Sequence, residues 1–197
     1  MFKSLPPVTR WLLFANVGVF LLGMLGLEPL LVSLFALWPL QGPFRPWQIV
    51  TYAFLHGSYL HLFFNMFGVY MFGSEIERAL GARRFVEVYV SSVVIAAVAQ
   101  LIVTTYVFPA PYPTLGASGG LFGILLAFGL MFPQRRIMLL IPPIPMKAWV
   151  FVTLYGLIEL GLGFSRAQTG VAHFAHLGGM LGGFLALRNQ GRRRPFS

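Results

Sequence analysis

An all-α bundle of six membrane-crossing helices is the fold class this sequence predicts, on three observations. Hydrophobic residues make up 57% of the 197 positions and charged ones only 10%, with a mean hydropathy of +0.78. A soluble domain carries roughly a quarter charged residues. The apolar residues gather into six runs, at about 11–27, 58–74, 85–108, 115–132, 148–164 and 169–187. Each meets or approaches the ~20 residues needed to cross ~30 Å of hydrocarbon at 1.5 Å per residue. The basic residues sit in short clusters between the runs and favour every second gap, which is the pattern of membrane topology.

The first run follows Lys3 and Arg10. It is long for the apolar core of a signal peptide and five more runs come after it, so it reads as a retained helix. Residues 28–57 mix Leu30, Leu31, Phe35, Trp38 and Trp47 with Pro39, Gly42, Pro43 and Pro46. That segment is too broken for a straight span and too apolar for a solvated loop, so it is placed in the outer interface, where Trp is favoured. The second run carries His61 and Asn65, and the third has one acid, Glu87. The fourth opens on Gly116-Ala117-Ser118-Gly119-Gly120, the fifth carries Glu159, and the sixth contains His173 and His176. With no internal repeat, low-complexity linker or soluble segment, residues 1–197 read as one membrane domain.

With the N-terminus inside, the inner segments hold twelve basic residues and the outer ones only Arg45 and Arg166. This bias needs all six crossings and puts both termini in the cytoplasm. The expected location is the plasma (inner) membrane of a prokaryote.

Composition also removes chemistries. The chain has no cysteine, so disulfides, thiolate nucleophiles and Cys-bound metals are excluded. Asp is absent as well, and the five acids are Glu28, Glu75, Glu77, Glu87 and Glu159. Serine chemistry would therefore use a dyad, or a Glu in third place. The net charge of +9 lacks the basic, aromatic-interleaved stripe of a nucleic-acid surface.

Orientation turns the sequence into a depth map. His61 and Asn65 lie in the first two turns of span two and, four apart, share one face. Ser118 lies in the first turn of span four, and His176 roughly two turns, ~10 Å, below the outer surface in span six. Four polar side chains thus fall in the same outer third of the bilayer, where such residues face a bundle interior or a wet cavity. Gly119 with Gly123, and Gly179 with Gly183, form small-residue seams that let two helices approach closely. If the seams meet, Ser118 Oγ comes within ~2.6–3.2 Å of a His176 ring nitrogen. Phe122 would then lie under the pair and could stack on the imidazole. His176 is favoured over His173 because only His176 has Gly at +3 and +7. Glu159 could orient the His, but its place near the outer end of span five favours an anchor at the interface. Glu77 is given a structural role at the inner end of span two, near Arg78 or Arg83.

Taken together, His61-Leu62-Phe63-Phe64-Asn65, Gly116-Ala117-Ser118-Gly119, and Ala175-His176 followed by Gly179 and Gly183 resemble the rhomboid family of intramembrane serine proteases. Gly73, Glu77 and Gly81, spaced by four, are similar to a further motif of that family. The resemblance covers nearly the whole chain. It implies Ser118 as nucleophile, His176 as general base and then acid, and His61 and Asn65 as oxyanion donors beside the Ser118 backbone N–H. Gly116, Gly119, Phe122, Gly179 and Gly183 would support them. It implies transmembrane protein substrates in the lipid bilayer and no cofactor or metal, and it leaves the oligomeric state open. One departure is Trp47-Gln48, where many rhomboids carry Trp-Arg, which bears on the packing of the first loop. The segment with Phe164, Ser165 and Gly170 is a candidate lid over Ser118.

The sequence bears on three other readings. A non-catalytic rhomboid-like protein that binds or escorts membrane helices would usually lack the Ser or the His. A small transporter would show inverted repeats or paired broken helices, which the sequence does not. A metal site from His61, His173 and His176 has no carboxylate companion at matching depth in this reading.

Overall fold

The computed structural model describes residues 5–138, 143–165 and 172–193. The protein is mostly helical. Helix α1 (Pro7–Leu22) runs through a π turn (Gly23–Leu27) into α2 (Glu28–Phe35), with a kink at Gly26, whose φ of 91° lies in the left-handed region. After the short α3 (Gln48–Thr51), α4 (Tyr59–Gly68) continues through a second π turn into α5 (Ser74–Leu80). Gly81, at φ 80°, reverses the chain into α6 (Ala82–Ile102), and α7 (Ser118–Met131) follows a loop. A hairpin of β1 (Arg136–Met138) and β2 (Pro145–Lys147) leads into α8 (Ala148–Ser165), and α9 (His173–Arg193) closes the described chain.

Among the described residues, three helical stretches, Pro7–Phe35, Ala82–Val107 and Ala148–Ser165, are long and apolar enough to cross a membrane. The other three expected runs fall differently. One lies on α4–α5, which the π turn interrupts; one is α7, a shorter apolar helix. The expected start of the sixth, near Thr169, lies outside the described residues, and α9 is described from His173. The all-α expectation needs one amendment, the antiparallel hairpin, which pairs Arg136 with Lys147 and Met138 with Pro145. Many large apolar side chains face outward, among them Trp11, Leu25, Leu60 and Phe164. An apolar exterior on this scale is an aggregation hazard in water and a solvation match for lipid, so the chain is an integral membrane protein.

The start of α1 explains Glu77. Pro6 offers no side-chain cap, and Pro7 opens the helix without an N–H. The buried Glu77 carboxylate fills the gap from 68 residues away. It accepts from the Thr9 backbone N–H at 2.7 Å, the Thr9 hydroxyl at 2.7 Å and the Val8 N–H at 2.9 Å. Free N–H groups at a helix start favour an anion there. Glu77 therefore ties α5 to α1, while Arg78 pairs with Glu75 and Arg83 with Glu87.

Helix α9 packs against both α6 and α7, and it can do so because it turns glycines to both of them. A Cβ on Gly179 would run into the Gly119 carbonyl oxygen, and one on Gly183 would lie 2.7 Å from the Gly123 oxygen. Across α6, a Cβ on Gly178 would be 2.7 Å from the Ala99 Cβ. The two seams read from the sequence face each other.

The first loop is knotted around Gln48, which is fully buried. Its side-chain oxygen accepts from the Trp38 and Arg45 backbone N–H groups, and its amide nitrogen donates to the Leu34 carbonyl. A neutral amide that both accepts and donates thus organises the loop at the departure from Trp-Arg. Tyr52 then fastens the loop to α6 through its hydroxyl, which donates to the Val93 carbonyl at 2.9 Å.

Candidate active site

Ser118 is the first residue of α7, so its hydroxyl stands at the mouth of an apolar helix. Gly116 just before it has φ 130°, and its N–H donates to the Tyr52 carbonyl, which holds the turn against the first loop. A Cβ there would sit 2.7 Å from a His61 ring carbon, so the turn requires glycine for conformation and for space alike.

His61 and Asn65 come from the first two turns of α4. Ser58 caps that helix, its hydroxyl oxygen accepting from the His61 backbone N–H at 3.1 Å. Asn65 is buried, and its Nδ2 donates to the His61 carbonyl at 2.9 Å. His56, on the loop ahead of α4, meets the His61 ring edge-on at 4.9 Å. Burial, then the neighbouring His61, pushes His56 down to about 3 against a smaller opposing pull from the Phe54 backbone, so it stays uncharged.

On α9, His176 Nε2 lies 2.9 Å from Ser118 Oγ. The imidazole stacks on Phe122 with ring centroids 4.2 Å apart and planes within 6°. Its other nitrogen, Nδ1, is 2.9 Å from Glu159 Oε2 on α8. His173 Nδ1 reaches the same oxygen at 2.6 Å. Here the structure departs from the sequence reading. Glu159 is only 4% exposed and faces the bundle rather than the interface, and His173, 4% exposed, is bonded to it. A depth argument would have found both. Glu159 lies six residues, ~9 Å at 1.5 Å per residue, from the Ser165 end of α8, the level already inferred for His176.

Ser118, His176, His61 and Asn65 all line one cavity of about 800 Å³, walled by apolar side chains such as Phe64 and Phe151. A carboxylate can only accept, so the His176 nitrogen facing Glu159 carries a proton and Nε2 is left as the acceptor for the Ser118 hydroxyl. That is the tautomer a general base needs. A hydroxyl in contact with an imidazole, beside an Asn and a His, is an arrangement that could serve acyl transfer through a tetrahedral intermediate. Donor atoms of Glu159, His173 and His176 lie within 4.8 Å of one another, close enough to hold a cation. In this structure Glu159 Oε2 is engaged with the Nδ1 atoms of both histidines. Of the candidate lid, Gly170 lies outside the described residues, whereas Phe164 packs edge-on against Phe174 at 5.6 Å.

Comparison with known proteins adds an independent line. A family model described as "Rhomboid domain" matches residues 43–190. The chain is 30% identical to "Rhomboid protein 1, mitochondrial" of Saccharomyces cerevisiae, over 94% of this chain and 56% of that protein. It is 31% identical to "Rhomboid protease GluP" of Bacillus subtilis, over 71% of this chain and 25% of that protein. It is 32% identical to "Putative rhomboid protease YdcA" of the same organism, over 71% of this chain and 64% of that protein. The chain thus spans between a quarter and two thirds of the length of these relatives.

Proposed function

The chain belongs to the rhomboid family, and from that premise we propose that it is an intramembrane serine endopeptidase. It hydrolyses peptide bonds in or near transmembrane segments of other membrane proteins. The observation that carries the reading is the 2.9 Å contact between Ser118 Oγ and His176 Nε2 inside the cavity. Relatives named as rhomboid proteases point the same way.

In this mechanism Ser118 Oγ attacks the scissile carbonyl carbon as its proton passes to His176 Nε2. The oxyanion is met by the Ser118 backbone N–H, by Asn65 and by His61. One such donor is worth ~3–4 kcal/mol when aimed at the developing charge. The imidazolium returns its proton to the leaving amine, and the acyl-enzyme is hydrolysed by a water that His176 activates in turn. Phe122 holds the imidazole in plane throughout. Hydrolysis requires water at the depth of Ser118, for which the cavity has room. It also requires that the substrate helix unwind locally, so Gly or Pro near the cut favours cleavage.

The proposal includes six crossings with both termini in the cytoplasm and the cavity near the extracytoplasmic face, supported by the distribution of basic residues. The relatives include a mitochondrial protein and bacterial ones, and the chemistry needs only a bilayer with one wet face. The test is incubation of the reconstituted protein with a panel of tagged single-span substrates. Wild-type protein cleaves at least one, whereas Ser118→Ala and His176→Ala, folded by thermal melting, cleave none. Undiminished cleavage by either variant removes the assignment. A fluorophosphonate probe labels Ser118 in an enzyme and leaves a helix-binding relative unlabelled.

A further inference from the structure

A carboxylate inside an apolar membrane helix is expensive to desolvate and needs partners. Glu159 bears that cost with its side chain 6% exposed. The compensation is specific: one oxygen, Oε2, receives both His173 Nδ1 and His176 Nδ1. A brace between α8 and α9 would need only the shorter of these bonds, the one to His173. The bond to His176 is a second one, and it falls on the ring nitrogen opposite the one that meets Ser118.

We infer that Glu159 is a positioning residue for the Ser118–His176 pair, with His173 as its own brace. Glu159 keeps the proton of His176 on Nδ1, turns Nε2 toward Ser118 Oγ, and faces the positive charge that His176 acquires when Nε2 takes the serine proton. In that step the Ser118 O–H bond breaks, an Nε2–H bond forms, and the Nδ1–H bond stays on His176; Glu159 gains no proton. His173 holds the carboxylate from the other side, across rings set 6.4 Å apart and nearly perpendicular. The constellation is a Ser-His-Glu arrangement assembled from α7, α9 and α8, with a second imidazole behind it. The inference rests on the proposed protease reading and adds the Glu to it.

The experiment uses the full chain in micelles or vesicles with a cleaved single-span substrate. Glu159→Gln keeps the shape and removes the charge. Its kcat is expected to fall about a hundredfold or more, by analogy with loss of the acid in soluble serine triads, while KM stays within about threefold because the residue does not touch substrate. Glu159→Asp restores a carboxylate and recovers at least about tenfold of the Gln variant's loss. His173→Gln removes the brace alone, so its loss of kcat is expected to be smaller than that of Glu159→Gln, and an equal or larger loss overturns the inference. A Gln variant with kcat within about threefold of wild type overturns the inference. So does a Gln variant whose melting temperature falls in step with its activity, with Asp no better than Gln, because that describes a brace alone. A measurement that needs no variant to fold is the ¹⁵N spectrum of histidine-labelled wild-type protein. Protonation of His176 at Nδ1 with a bare Nε2 is expected, and the opposite tautomer overturns the inference. Failure of the protease reading would look different: wild-type protein would cleave nothing and Ser118 would resist the fluorophosphonate, whatever the tautomer.

Discussion

Asn65 shows how a single hydrogen bond fixes what a side chain can offer. Its amide faces the His61 carbonyl at 2.9 Å. A carbonyl only accepts, so the atom there must be nitrogen, and one of its two hydrogens is committed. The second is free for an oxyanion in the cavity. Asn65→Ala is therefore expected to lower kcat by about tenfold to a thousandfold, with the backbone N–H and His61 sustaining the remainder. Asn65→Asp is expected to do worse, because it sets an oxygen against the His61 carbonyl oxygen. Full cleavage by Asn65→Ala would remove it from the oxyanion role. The approach of Ser118 and His176 was legible from the sequence because depth and glycine spacing are both local properties. Glu159 was not, since an acid in a span looks like an anchor until its partner is known. The same depth rule, applied to span five counted back from Ser165, places it level with His176.

Among elements, the dependence of α1 on a residue of α5 carries the clearest consequence. Two prolines start α1 and neither can cap it, so its first free N–H groups bond to the Glu77 carboxylate. Hydrogen bonds to a charged acceptor contribute about 1.5–3 kcal/mol, and leaving buried donors unmatched costs more. Glu77→Ala is expected to destabilise the bundle by about 2 kcal/mol or more, read as a lower midpoint in detergent melting. The cleavage rate per folded molecule should change little, because Glu77 does not line the cavity. A large rate loss with an unchanged midpoint would contradict the structural role. Helices with long apolar runs were readable because lipid selects for them. The extension of α1 into α2 was not, because the kink at Gly26 depends on a φ of 91° that glycine permits without dictating. The hairpin was also missed: β1 and β2 are three residues each and exist only by pairing with one another.

At the scale of the whole molecule, the length of α7 and the depth of the cavity are one fact. Fourteen residues give ~21 Å at 1.5 Å per residue, ~9 Å short of the ~30 Å hydrocarbon thickness. Met131 lies close in sequence to Arg135 and Arg136, which the proposed orientation holds at the inner surface, so the missing length falls on the side of Ser118. The helix then begins below the outer surface, and the cavity lies beside its first two turns, at Ser118, Leu121, Phe122 and Leu125. A helix spanning the full thickness would have carried the serine up to the headgroups. This geometry works only if Arg45 and the loop at Gln134 lie on opposite faces of the membrane. The absence of cysteine makes that directly measurable, since every thiol introduced is the sole one. In sealed cells a membrane-impermeant maleimide is expected to label Arg45→Cys at once. Arg83→Cys and Gln134→Cys should react only after permeabilisation. If Gln134→Cys and Arg45→Cys label from the same side, the six-crossing orientation is wrong. Ser118 would then no longer be assigned to the outer third of the bilayer, and the source of water for the reaction would have to be sought on the other face.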